Sequence, residues 1–361
     1  KHPEEFRVII GARSSVFLPF QDLGLVIVDE EHESSYKQHD PSPRYHGRDA
    51  SIYLAKMFNA KVLLGSATPS LESFQNTIDH KYGYVRLASR FGDLNMPEIL
   101  IANTQQETLS KSMTSHFSSL LIDHMTMALE NKEQVILFQN RRGFSPVVEC
   151  TTCGVSPQCP NCDVSLTYHK FKHELRCHYC NYQRAMPNNC DACGSNTLDH
   201  KGFGTEQIEL ELRALFPDHT IGRMDLDTTR GKHGYQKIIG AFEAREIDVL
   251  VGTQMLSKGL DFDNVSLVGI INADSMLNFP DFRAHERAYQ MMVQVSGRAG
   301  RNKKQGNVAI QTFNAYHQIL QQVAATNYTE MYNEQLQERW QYKYPPYYRL
   351  IKITLKHRDY N

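Results

Sequence analysis

The chain lacks any apolar run approaching the roughly 18 residues that a membrane-spanning helix needs, and no signal peptide opens it. Membrane association is therefore not expected. It also lacks an excess of either charge. Its 39 Lys and Arg against 40 Asp and Glu leave a net charge of -1, with a pI of about 7.0. No global field draws it to nucleic acid, so any such binding must come from local patches. The phosphate-cradling motif G-x-x-x-x-G-K-[ST] occurs nowhere. Cysteine is missing everywhere except between positions 150 and 193. The first residues are Lys1-His2-Pro3 rather than methionine, and a predicted strand follows almost at once, which points to a fragment.

What is present fits two to three soluble domains in 361 residues, at roughly 100 to 200 residues each. Short apolar strands alternate with amphipathic helices. Ahead of the cysteines come "FRVIIG", "LGLVIVDE", a helix near "RDASIYLAKMF", "AKVLLGSATPS", "YGYVRLAS" and "EQVILFQ". After them come a helix "TEQIELELRALF", "TIGRMDLD", a helix "YQKIIGAFEA", "DVLVGTQ", "VSLVGIINAD", a helix "RAHERAYQMMVQV" and "NVAIQTF". That order predicts an α/β protein with doubly wound parallel sheets.

The eight cysteines form four CxxC pairs: Cys150/Cys153, Cys159/Cys162, Cys177/Cys180 and Cys190/Cys193. Two intervening residues let both thiolates of a tight turn face one tetrahedral ion, so four pairs make two closed, structural zinc sites. A disulfide framework is the bland alternative, and it suits small secreted domains better than a long enzyme-like chain. Only five residues separate Cys153 from Cys159, a short span in which to bring a second knuckle to the opposite side of one ion, which disfavours pairing of adjacent knuckles. Between Cys162 and Cys177, "DVSLTYHKFKHELR" reads as a hairpin that joins the inner pairs. The expectation is nested: Cys159, Cys162, Cys177 and Cys180 share one ion, and Cys150, Cys153, Cys190 and Cys193 share the other. The mixture of Tyr168, Phe171, Tyr179 and Tyr182 with Lys170, Lys172, Arg176 and Arg184 suits either stacked bases and phosphates or the cover of a domain too small for a core.

The chemistry sits where strands end, which is where open α/β sheets bind ligands. Leu25 to Val28 run straight into Asp29, Glu30, Glu31 and His32. A strand delivering Asp-Glu at its C-terminal end is the Walker B arrangement, in which the aspartate holds Mg²⁺ and the glutamate activates the attacking water. An acidic turn after a strand is commonly no more than a solvated loop, but here "GSATPS", "GTQMLSKGLDF" and "QVSGRAGR" follow it in order.

Together these motifs resemble those of superfamily 2 helicases, which have two RecA-like domains. "DEEHESSYKQ", "RYHGRDASIY", eight cysteines inserted after "NRRGF", "GFGTEQ", "DTTR" and "YPPYYRL" are similar to the replication restart DNA helicases within that superfamily, over essentially the whole chain. The resemblance implies two RecA-like domains, the first incomplete: residues 1–105, then 106–149 with 198–325. A zinc module at 150–197 is inserted in the second, and a C-terminal domain begins at 326–361. It implies ATP with Mg²⁺ as cofactor. Asp29, Glu30 and His32 would be catalytic, with Arg298 and Arg301 as the finger and Gly259, Asp261 and Gln294 beside the nucleotide. It places DNA on Arg13, Ser14, Thr253 and the aromatic-rich loop, namely Tyr36, Lys37, Arg44, Tyr45 and Arg48.

The implied parent is a bacterial, cytoplasmic 3′–5′ helicase, monomeric and nucleoid-associated at replication forks. Its implied partners are forked and single-stranded DNA, single-strand DNA-binding protein, and primosome and helicase-loading proteins. The missing phosphate loop departs from the family pattern; it should lie upstream, and without it the chain should hydrolyse little ATP. A zinc-ribbon scaffold with non-catalytic helicase domains and an RNA helicase are the competing readings.

Overall fold

In a computed structural model, described for residues 7–87, 96–140, 147–169, 172–199, 204–229, 231, 233–257, 262–300 and 305–351, the chain divides into two compact units, Lys1–Tyr84 and Val85–Asn361. In the first unit, β1 (Leu25–Val28), α1 (Gly47–Met57), β2 (Lys61–Leu64) and α2 (Leu71–Ile78) follow one another. The strands pair in parallel, with Leu25 opposite Lys61 and Val28 opposite Leu64. Helix α1 carries Asp49 in its first turn and Lys56 in its last, each complementing the helix dipole. Helix α2 begins where the Ser70 side chain caps the Ser73 N–H.

Two expected strands are absent from the described residues at the start and end of this part of the chain. Val8 to Ile10 have no strand to pair with, and Ile10 is 96 % exposed; residues 83–87 are likewise irregular. Both runs are β-branched or aromatic, but apolar character makes a strand only where a neighbouring ladder accepts its backbone groups.

The second unit runs β3 (Glu98–Asn103), α3 (Thr104–Ser110), α4 (Ser119–Glu130) and β4 (Gln134–Phe138) into the cysteine module. The module's short strands are β5 (Glu149–Cys150), β6 (Thr167–His169), β7 (Glu174–Arg176), β8 (Gln183–Ala185) and β9 (Leu198–Asp199). Then follow α5 (Thr205–Leu215), β10 (Ile221–Met224), α6 (Gly234–Glu243), β11 (Val249–Gly252), β12 (Val265–Ile270), α7 (Asp274–Leu277), α8 (Ala284–Ser296), β13 (Asn307–Thr312), α9 (Gln318–Ala324) and α10 (Tyr328–Gln341). The main sheet has the order β10-β11-β4-β12-β13-β3, with every neighbouring pair parallel.

Strand β4 lies inside this sheet and is buried at all five positions, which is why its sequence, QVILF, shows no alternation. Its one polar side chain, Gln134, donates to the Phe242 and Ile247 carbonyls at 2.7 and 2.8 Å. On one face α4 and α5 bring Leu121, Met125, Ile208 and Leu212 against Val135 and Leu137, each side chain contributing about 1.5 to 3 kcal/mol by leaving water. Gly269 lets α4 approach: a Cβ there would stand 2.5 Å from Leu137 Cδ2 and 2.9 Å from Leu121 Cδ1.

The expected domain limits shift in two places. The first boundary falls at Tyr84/Val85 rather than at 105, because β3 pairs with β13 from Glu98–Asn307 to Asn103–Thr312 and so belongs to the second sheet. The stretch expected to begin a further domain at 326 instead packs into the second unit. Helix α10 lies against α8 and α9, burying Arg339 in an ion pair with Glu286. The inserted zinc-ribbon architecture and the parallel α/β sheets are as expected.

Candidate nucleotide-handling strand ends and paired metal centres

Strand β1 ends at Val28, and the next three acids separate by backbone geometry. Asp29 accepts the Glu30 N–H on Oδ1 at 3.0 Å. Glu30 sits in the left-handed region with φ 46°, a conformation that costs a non-glycine residue on the order of 1 kcal/mol and persists only where its surroundings hold it. Here the Glu31 N–H donates to the Gly65 carbonyl at 3.0 Å just after β2, and the Tyr36 hydroxyl donates to the Asp29 carbonyl at 2.6 Å. The Glu30 side chain stays 40 % exposed, its Oε2 3.5 Å from His32 Nδ1. His32 is nearly buried and pairs through Nδ1 with Ser66 Oγ at 2.7 Å, which ties the acids to the segment after β2.

Glu31 turns the other way and is 2 % exposed. Its carboxylate accepts the Arg48 guanidinium at 2.7 Å, the Ser70 N–H at 2.6 Å and the Ser73 hydroxyl at 2.8 Å. Burial works against the Arg48 charge, but the Glu31 and Asp49 carboxylates outweigh it and raise the guanidinium pKa. This buried clamp was not anticipated; its only trace in the sequence is a third acid following Asp29 and Glu30.

The clamp changes the reading of the loop expected on DNA. Arg48, assigned there to phosphates, has its guanidinium committed to Glu31 and Asp49, with its side chain only 14 % exposed. The Tyr45 ring packs edge-on against Phe17 at 4.7 Å, so it is part of the loop's own packing. Tyr36 is held by its hydroxyl, and burial followed by the nearby Asp29 and Glu33 carboxylates raises its pKa. Lys37 Nζ donates to the Arg44 carbonyl at 2.8 Å. Arg13 donates to the Ser35 carbonyl at 2.7 Å, while Arg44 and Ser14 are exposed.

In the second unit Thr253 follows β11 and is 9 % exposed, its N–H donating to the Met224 carbonyl at 3.3 Å. Gln294 lies in the last turns of α8, and Arg298 follows that helix, its N–H bonded to the Val295 carbonyl at 3.0 Å. Gly259, Asp261 and Arg301 lie outside the described residues, as do Lys170 and Phe171.

The structure brings Cys150, Cys153, Cys190 and Cys193 into one cluster and Cys159, Cys162, Cys177 and Cys180 into another, the sulfurs of each within 4.8 Å of one another. Sulfur separations of 3.6 Å (Cys150–Cys193), 3.5 Å (Cys153–Cys190) and 3.6 Å (Cys159–Cys180) approach the edge of about 3.8 Å of a tetrahedron with Zn–S near 2.3 Å. The donor set therefore fits a tetrahedral soft-ligand ion with no open position. Strands β6 and β7 pair antiparallel and join the two inner knuckles.

The surroundings of the clusters differ. The inner one lies among Val148, Val164, Leu166, Tyr168 and Leu175, and burial pushes the Cys159 thiol up to about 11. Burial likewise pushes Cys153 of the outer one up to about 12. Burial also raises the Cys150 thiol, but there the Ser195 and Thr197 hydroxyls and backbone N–H groups overcome it and bring the pKa down to about 5. In the inner cluster burial is overcome at Cys180, where the Tyr182 N–H helps bring the pKa to about 7.

Each cluster is also fastened to the main domain. Gly154, at φ 70°, lies so close to Phe313 that a Cβ would stand 2.6 Å from that side chain, and Gln105 donates to the Thr152 carbonyl at 2.9 Å. On the inner side Tyr344 donates to the Cys162 carbonyl at 2.8 Å while its ring stacks on Phe282 at 4.5 Å. Arg283 and Arg339 lie 4.9 and 5.2 Å from the same Phe282 ring. No local periodicity marked these contacts.

Comparison with known proteins bears on the same segments. Residues 159–184 match the family described as PriA DNA helicase Cys-rich region (CRR) domain, which spans the inner four cysteines, and residues 203–303 match the helicase conserved C-terminal domain. The chain is 42 % identical to replication restart protein PriA of Bacillus subtilis over 358 residues, 99 % of this chain and 44 % of the relative. It is 43 % identical to replication restart protein PriA of Haemophilus influenzae over 354 residues, 98 % of this chain and 48 % of the relative. Among solved structures, S. cerevisiae Dbp5 bound to RNA and ADP BeF3 matches with a TM-score of 0.43 at 12 % identity, over 89 % of this chain and 64 % of that one.

Proposed function

The chain belongs to the PriA family of replication restart proteins, of whose curated members it spans about half, and from that premise we propose that it is the motor-bearing middle of an ATP-dependent 3′–5′ DNA helicase acting at stalled forks. The observation that supports this most directly is the division of labour after β1. Asp29 and Glu30 remain accessible at a strand end while Glu31 and His32 are buried and tie them to the segment after β2.

Within that reading Asp29 holds Mg²⁺, directly or through water, and Glu30 accepts the proton of the attacking water. His32 is the positioning residue between Glu30 and Ser66. Gln294, Arg298 and Arg301, with Gly259 and Asp261, serve the nucleotide from the second domain. Arg13, Ser14, Lys37, Arg44 and Thr253 contact the DNA backbone, and Tyr36 relates the loop to the Asp29 carbonyl. The eight cysteines hold two Zn²⁺ ions, which supply cross-links and no reactive position. Single-strand DNA-binding protein and primosome and helicase-loading proteins are the partners this role calls for.

In the full-length parent, Glu30→Gln should leave ATP binding within about twofold and lower DNA-stimulated hydrolysis about a hundredfold or more, since the amide keeps the shape and loses the base. Hydrolysis at the parental rate would remove Glu30 from the role. Stimulation by RNA in place of DNA would redirect the substrate assignment.

A further inference from the structure

The two cysteine clusters have the same ligands but different outer contacts. Around the outer cluster three hydroxyls form a chain. Thr152 Oγ1 lies 2.7 Å from Thr197 Oγ1, which lies 3.0 Å from Ser195 Oγ and 3.5 Å from Cys150 Sγ. Ser195 Oγ is 3.0 Å from Cys150 Sγ and 3.1 Å from Cys193 Sγ. Metal-bound thiolates carry no proton, so the hydroxyls must donate. Three protons suffice for Ser195 to serve Cys193, Thr197 to serve Cys150 and Thr152 to serve Thr197.

Among the described residues the inner sulfurs have no such chain of hydroxyls; their donors are N–H groups. Cys180 Sγ accepts the Asn161 side-chain amide at 3.7 Å and the Tyr182 backbone N–H, Cys159 Sγ the Asn161 backbone N–H, and Cys177 Sγ the Tyr179 N–H at 3.4 Å. The Tyr344 hydroxyl stands beside Cys162, but its single proton goes to the Cys162 carbonyl at 2.8 Å. Cys180 and Cys193 are both exposed, one in each cluster. Both face solvent, but Cys193 has a hydroxyl donor while Cys180, among the described residues, has N–H donors alone.

Hydrogen bonds to a metal-bound thiolate withdraw charge from sulfur and lower its nucleophilicity. We infer that Cys180 is an oxidation site: a peroxide reacts first at the inner cluster, expelling that ion while the hydroxyl-shielded outer cluster keeps its own. The inference rests on the two-zinc reading above. The Cys180 thiolate attacks one peroxide oxygen, forming an S–O bond as the O–O bond breaks and hydroxide leaves. The Cys159 thiolate, 3.6 Å away, then displaces a second hydroxide from the sulfenic acid to give a disulfide. Two thiolates lose two electrons, hydrogen peroxide becomes two hydroxides, and the ion is left with two of its four ligands. Because Tyr344 docks on the Cys162 carbonyl, the segment after α10 is loosened by the same event.

The zinc-loaded chain, treated with limiting hydrogen peroxide, should release its zinc in two phases differing about tenfold in rate, as read with a zinc-responsive dye. Peptide mapping should find the Cys159–Cys180 disulfide in the first phase, together with faster deuterium uptake over residues 339–345. Ser195→Ala with Thr197→Val should bring the slow phase close to the fast one; Thr197→Val alone, the milder variant, should close part of the gap. Release of both ions in one phase, modification of Cys193 ahead of Cys180, or an unchanged ratio in both variants would overturn the inference. Fewer than two zinc ions in untreated protein would overturn the two-site reading itself and the inference with it.

Discussion

At the end of β1 three successive acids have three different environments, whereas in the inserted module eight cysteines fall into two sets with the same ligands. Asp29 binds its own neighbour's N–H, Glu30 stays accessible at positive φ, and Glu31 is buried against Arg48, Ser70 and Ser73. One anionic site depends on backbone placement and the other on ligand count. Substitutions in the first should therefore have consequences that differ from residue to residue, and substitutions in the second should have consequences that differ only between clusters.

The largest effect is expected from metal removal, since structural zinc contributes of the order of 10 kcal/mol to small zinc-stabilised folds. Chelation, or Cys177→Ser, should abolish the native near-ultraviolet signal of the module's tyrosines and lower zinc by two ions or by one. A variant that keeps both ions would show that Cys177 is not a ligand.

Next comes the contrast between adjacent acids. Glu31→Gln or Arg48→Met should destabilise the first unit by about 3 kcal/mol, because each strands a buried charge, whereas Glu30→Gln should leave the melting temperature within a degree or two. Equal melting shifts for Glu30→Gln and Glu31→Gln would dissolve the comparison. It follows that Arg48→Ala cannot isolate a DNA contact, since it disrupts the fold beneath the loop; Arg44→Ala is the cleaner probe.

The smallest effect is expected at the fastening of the inner cluster. Tyr344→Phe removes one hydrogen bond and keeps the ring on Phe282, so it should cost about 1 kcal/mol and leave zinc content at two. A larger loss, or a missing ion, would mean that the hydroxyl supports the metal site directly.

How far these features could be read from sequence depended on how local their causes are. The CxxC spacing is a property of one turn, and the hairpin between the inner pairs is a property of one short segment, so the cysteine grouping was legible. Leu25 to Val28 followed by acids was legible for the same reason. Glu31 was not, because its partners stand on α1 and at the start of α2, and nothing in the string DEEH says which carboxylate faces them. Strand β3 escaped for a related reason: its partner among the described residues, β13, lies some two hundred residues away in sequence. The run around Val8 to Ile10 erred in the opposite direction, apolar enough for a strand but without one beside it.

The inserted module leaves β4 and returns to α5 through a neck in which Glu149 and Cys150 pair antiparallel with Asp199 and Leu198. A lobe on a neck alone is free to swivel. This one is also pinned at Gly154 against Phe313 and at Cys162 against Tyr344, the first beside the outer metal cluster and the second in the inner one. Three separate points of attachment fix a rigid body completely, so any rotation of the domain that carries α8 and Arg298 swings the module through the same angle, making it a lever arm rather than a tethered flag.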